Sequence, residues 1–111
     1  MNVYDQAHAL ARSLRQHPDV VAMRLARQKV NADPQAKSML DNFLEKSMQL
    51  QLQELGGNPP SEEEKEQLAK LSEIVFLHSD IRNLQELSMR VERLLQDIYG
   101  IIARAVQTEE E

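Results

Sequence analysis

The sequence predicts an all-α protein, and three observations carry that expectation. Its apolar content, 41% of 111 residues, comes almost wholly from Leu, Met, Val, Ile and Ala, with two Phe, two Tyr and no Trp. Leu, Met and Ala favour helix, and Met fills irregular gaps between helices. Punctuation is sparse: three Gly and four Pro, two of each gathered in Gly56-Gly57-Asn58-Pro59-Pro60, so the elements must be long. Apolar residues also recur at steps of three and four along most of the chain, the period of a helix with a buried face. About five helices are expected, with helices three and five forming a long antiparallel hairpin. The shorter helices pack around it in an oligomeric bundle. Residues 1–111 suit a single domain with a modest core.

The first helix is expected from about Asn2 or Val3 to Gln16, where Val3, Ala7, Leu10 and Leu14 share a face. His17-Pro18 ends it, because proline disfavours helical geometry in the residue before it. Pro18 then suits the first turn of a second helix, to about Asn31, with Asp19 at the positive end of its dipole. Asn31-Ala32-Asp33-Pro34 is a stop and restart, with Asp33 as N-cap and Pro34 as first helical residue. The third helix runs to about Leu55. Within it, Leu50-Gln51-Leu52-Gln53 alternates like a strand, but no β-branched residue is present and Leu44, Met48, Leu52 and Leu55 keep helical spacing.

Gly56 to Pro60 is a turn. Ser61 and Glu64 then form a capping box, each satisfying the other's exposed backbone donor, and the fourth helix continues to about Leu77. His78-Ser79-Asp80 is a kink or a break, with Ser79 or Asp80 recapping the chain. The fifth helix, from about Asp80 to Gln107, carries the cleanest repeat. Ile81, Leu84, Ser88, Val91, Leu95, Ile98, Ile102 and Ala105 form a heptad seam, with Leu87, Leu94 and Ile101 in a second row beside it. The tail, Thr108 to Glu111, is expected to fray.

That last helix implies a partner. Its 28 residues span about 42 Å, whereas a compact chain of this length is roughly 35 Å across. Two adjacent apolar rows need two neighbours. Leaving five or six Leu and Ile side chains in water would forfeit about 1.5–3 kcal/mol each. The expected seam of core and self-association comprises Leu84, Leu87, Val91, Leu94, Leu95, Ile98, Ile101 and Ile102, joined by Phe43, Leu44 and Met48 of helix three. The expected partners are further copies of the chain, as homodimer or higher oligomer, and another cytoplasmic protein.

Other chemistries find little footing. Without Cys there is no disulfide, thiolate metal site, iron–sulfur cluster or Cys nucleophile. His8, His17 and His78 stand in separate segments without metal-ligand spacing, and His78-Ser79-Asp80 are too close in sequence to form a hydrolytic triad. No phosphate loop or dinucleotide fingerprint appears. The expectation is a non-enzyme with no cofactor and no metal. The N-terminus lacks signal-peptide character and no apolar run reaches the roughly 20 residues of a membrane span, so the chain reads as cytoplasmic with no membrane contact.

Charge is uneven within a net of −5: residues 1–31 carry five basic side chains against Asp5 and Asp19, and residues 32–80 carry ten acids against four Lys. Arg82, Arg90, Arg93 and Arg104 alternate with Glu86, Glu92 and Asp97 on the last helix. Aromatics for base stacking are nearly absent, so direct nucleic-acid binding is not expected.

Tyr4-Asp5-Gln6-Ala7 with Leu10 and Leu14, the stretch from Val30 to Phe43 (VNADPQAKSMLDNF), the Gln-rich end of helix three before Gly56-Gly57, and Arg93-Leu94-Leu95 with Ile101-Ile102 carry a likeness over nearly the whole chain. Together they resemble the YlbF/YmcA-like family of small helical bacterial proteins, most closely its YheA-type branch. The resemblance implies an all-α, dimeric or higher-order fold without catalytic residues. Better-known relatives serve as accessory factors in a complex influencing messenger-RNA processing, competence, biofilm formation and sporulation. Those relatives hold an iron–sulfur cluster with C-terminal cysteines, which this chain does not possess. Three functions follow: a homo-oligomeric regulatory adaptor, an RNA-decay accessory factor, or a helical bundle with a small-molecule pocket.

Overall fold

A computed structural model describes residues 2–107 as five helices and, among those residues, no strand: α1 (Val3–Gln16), α2 (Pro18–Asn31), α3 (Pro34–Leu55), α4 (Glu62–Val75) and α5 (Ser79–Val106). The frayed tail expected at 108–111 lies outside the described residues. The boundaries follow local chemistry. Asn2 caps α1, its Oδ1 accepting the Asp5 N–H at 2.9 Å. Asp33 caps α3, accepting from the Gln35 and Ala36 N–H groups at 3.1 and 3.2 Å, with Pro34 directly behind it. Ser61 and Glu64 form the reciprocal capping box of α4. The 50–53 stretch is helical throughout.

The α3 terminus has a specific solution. Gly57 takes φ +80°, the Asn58 N–H reaches back to the Gln53 carbonyl at 2.9 Å, and the Gly57 N–H donates to the Glu54 carbonyl. This is the Schellman arrangement, in which a left-handed residue lets two orphan carbonyls find donors.

Between α4 and α5 the chain breaks. The fourth helix stops at Val75, short of the expected Leu77, and a turn over 76–78 carries the chain into α5. The recapping residue is His78, not Ser79 or Asp80. Its carbonyl accepts the Arg82 N–H at 3.0 Å and its Nδ1 accepts the Asp80 N–H at 3.2 Å. His17 does the same for α2, with Val21 N–H on its carbonyl and Asp19 N–H on its Nδ1. Histidine is not a usual N-cap, so neither cap is evident from the sequence; a bare Nδ1 is nonetheless an acceptor placed much like the oxygen of Asn.

The chain divides into two compact units. One is Ala26–Leu84, whose core is Ala26, Val30, Ala36, Leu50, Val75, Ile81 and Leu84. In this unit α3 packs along α4, and Phe43 meets Phe76 edge to face at 5.4 Å between ring centres. The helical partner of α3 within the unit is thus α4, whereas the sequence suggested helix five, of which the unit contains only Ser79 to Leu84. The neutral turn Gly56–Pro60 makes adjacency of consecutive helices the short-range solution.

The other unit joins Met1–Leu25 to Gln85–Glu111. Leu10, Leu14, Leu87, Leu94 and Ile98 are half-buried, and Val91 alone among its described residues is buried. The Arg24 guanidinium donates to the Arg15 carbonyl at 2.6 Å, and Arg90 lies 3.9 Å from Asp19.

Candidate functional site

The apolar residues singled out from the sequence fall into three environments. Leu84 and Val91 are buried. Phe43, Leu87, Leu94 and Ile98 are half-buried, Phe43 against Phe76. Leu44, Met48, Leu95, Ile101 and Ile102 are exposed.

Along α3, Ala36, Phe43 and Leu50 repeat every seven residues and face inward, with Ala36 and Leu50 buried. Leu44, Met48, Leu52 and Leu55 lie on another face, about 130° away at 100° per residue. Their exposures are 52%, 62%, 61% and 83%. Leu52 and Leu55 extend the stripe of Leu44 and Met48 beyond the expected seam; their helical spacing is visible in the sequence, but their exposure is not. Glu45 and Gln51, three residues to either side of Met48, flank the row at its centre, and the Lys37–Asp41 ion pair continues the same face toward the start of α3.

On α5, Leu95, Tyr99, Ile102 and Val106 step by four, three and four along one face, and all are exposed. The seam is therefore closed at Leu84 and Val91 and exposed at Leu95 and Ile102, with Ile98 between them half-buried. Tyr99 and Val106 join it; neither belongs to the heptad register that selected the other seam residues.

Polar chemistry is concentrated at the helix ends of the 26–84 unit. His78 Nε2 faces Asp33 Oδ2 at 3.5 Å, and Lys29 Nζ lies 3.4 Å from Asp80. Because the His78 Nδ1 accepts a hydrogen bond, the ring proton sits on Nε2, toward Asp33. The backbone N–H of Ala36 is the largest influence holding the Asp33 carboxyl below its usual value; partial desolvation opposes it, and Gln35 N–H and His78 add to it. These contacts bind helix ends together, with no nucleophile–base pair among them. The described residues include no group of three or more His, Asp or Glu arranged to hold a metal ion.

The described residues form shallow clefts. One of about 280 Å³, at the turn end of the α3–α4 pair, is lined by Leu50, Glu54, Pro60, Lys65 and Leu68 among others. Another of about 320 Å³ lies among Glu86, Met89, Arg90 and Arg93. Both are open and at the small end for ligand sites. Among the described residues no helix is long and apolar enough to cross a membrane.

Fold and surface together define a class: small five-helix proteins that present exposed apolar helix faces. Within it, the chain belongs to the YlbF/YmcA family, described as control of competence regulator ComK, which it matches over residues 3–107. A UPF0342 protein of Symbiobacterium thermophilum is 35% identical over 107 residues, covering 96% of each chain. UPF0342 proteins of Bacillus licheniformis and Caldicellulosiruptor saccharolyticus are 33% and 31% identical, over 96% and 99% of this chain and 92% of each relative.

Proposed function

We propose that this protein is a non-catalytic, self-associating helical regulator that acts by presenting helix faces to other cytoplasmic proteins, in the service of the competence control for which its family is described. The observation that carries this reading is the pair of uncovered apolar rows, Leu44–Met48–Leu52–Leu55 on α3 and Leu95–Tyr99–Ile102–Val106 on α5. Contiguous apolar surface of this kind marks interaction sites on soluble proteins. The seam proposed for self-association draws on Leu44 and Met48 together with Leu94, Leu95, Ile98, Ile101 and Ile102. The buried Leu84 and Val91, and half-buried Phe43 and Leu87, support it from within.

Size-exclusion chromatography with light scattering tests the reading. A mass at least twice that of the chain at micromolar concentration is expected; a monomer there removes self-association. The regulatory half of the proposal is tested by deleting the gene in its native host and measuring DNA uptake. Unchanged uptake in a naturally competent host would count against it.

A further inference from the structure

We infer that His78 is a proton-operated latch: its neutral ring ties the start of α5 to the start of α3, and a further proton frees α5 while leaving α3 capped. The latch lies wholly within the 26–84 unit and does not depend on the self-association proposed above.

It consists of two contacts that one imidazole makes together in a single protonation state. Nδ1 accepts the Asp80 N–H at 3.2 Å, capping α5, so that nitrogen keeps its lone pair. Nε2 lies 3.5 Å from Asp33 Oδ2 and carries the ring proton. The other oxygen of that carboxylate, Oδ1, takes the Gln35 and Ala36 N–H groups that open α3. Donors and acceptors thus run without a gap from one helix start to the other. His17 supplies the contrast. It caps α2 through the same Nδ1 contact at 3.1 Å, yet among the described residues its ring joins no ion pair.

A proton added to the neutral His78 ring can go only to Nδ1. The ring then has two donors and no acceptor, and the Asp80 N–H meets an N–H in place of a lone pair. The contact with Asp33 survives as an ion pair. The Ala36 N–H above all holds that carboxyl below its usual value, so it stays ionised where imidazoles titrate, about pH 5 to 8.

The other charged groups at the junction are already engaged or turned away. Lys29, in the last turn of α2, sits 3.4 Å from the Asp80 carboxylate. Arg82 of α5 is drawn back to the Phe76 carbonyl at 3.3 Å. The last turn of α4 holds Glu73, which is exposed, and no base. Asp33 is therefore the carboxylate that holds a charged ring. Acid loosens the first turn of α5 and spares that of α3.

Amide exchange of the whole chain, resolved by NMR and corrected for the intrinsic effect of pH, tests the latch. Between about pH 8 and 5 the Asp80 N–H is expected to lose protection about fivefold, the equivalent of one N-cap. The Ala36 N–H is expected to keep its protection over the same range. His78→Asn retains an N-cap acceptor that does not titrate, and should hold the Asp80 N–H equally at both ends. Long-range proton–nitrogen correlation at the alkaline end is expected to find the His78 Nδ1 bare. A native chain whose Asp80 protection ignores acid, or whose His78 carries its proton on Nδ1, would overturn the latch. So would an equal loss at Ala36, or the same loss in His78→Asn, since either places the response elsewhere in the fold. The Ala36 comparison is made within the native chain and holds whatever the variant's stability.

Discussion

Single side chains decide where these helices begin, and one of them gives the fold a definite acid response. The backbone N–H groups at the start of α3 stabilise the ionised form of Asp33, with His78 adding to them, so its carboxyl is more acidic in the folded chain than in the unfolded one. Its contribution to stability is present above the ordinary value of 3.8 and is lost as pH falls below that value through the folded one. Asp33→Asn keeps an N-cap acceptor but cannot titrate. Urea unfolding from pH 6 down through this window should show the variant losing less stability than the native chain; parallel curves would mean that the cap charge contributes nothing. Gln53 offers the converse case. Its Oε1 is buried without a hydrogen-bond donor among the described residues, an arrangement that carries a desolvation penalty. Gln53→Met should raise stability by about 1 kcal/mol, and a loss of that size in thermal unfolding would show that the amide has a partner after all.

At the scale of helices and turns, the Gly56–Ser61 connection does most to set the α3–α4 pairing. Gly57→Ala must force a side chain into φ +80°, at a cost of about 1–2 kcal/mol; Gly57→Asn should cost less, since Asn enters that region more readily. Removing the other half of the connection, Ser61→Ala, should cost about 1 kcal/mol by freeing the Glu64 N–H. Equilibrium unfolding in urea measures both, and equal effects of Ala and Asn at position 57 would refute the left-handed argument. This same segment shows how far local chemistry is legible in a sequence. Pro18, Asp33-Pro34 and Ser61-x-x-Glu64 placed three helix starts because their capping geometry spans only a few residues. The end of α4 and the cap at His78 were not legible. Imidazole capping needs a particular tautomer, and composition does not reveal which ring nitrogen is bare.

Across the whole molecule, periodicity revealed which residues are apolar on a face but not which face is already taken. Leu84 and Leu95 occupy the same heptad seam, yet one is buried and the other half exposed; Leu50 and Leu52 alternate in sequence, yet only Leu50 is covered. Helical spacing is a local property, while coverage depends on what the rest of the chain, or another chain, brings to the face. The thermodynamic consequence can be measured without knowing the interface. When folding and association are linked, mass action makes stability depend on concentration, and each tenfold increase adds about 1.4 kcal/mol per dimer formed. The unfolding midpoint of the native protein should therefore rise by several degrees between about 1 and 100 µM. Met48→Glu should melt lower and at one temperature throughout that range, because a monomer has no association term. A native midpoint that stays fixed over the same hundredfold range would mean that the exposed leucines of α3 and α5 face water in the working protein, and that its regulatory contacts are made by single chains.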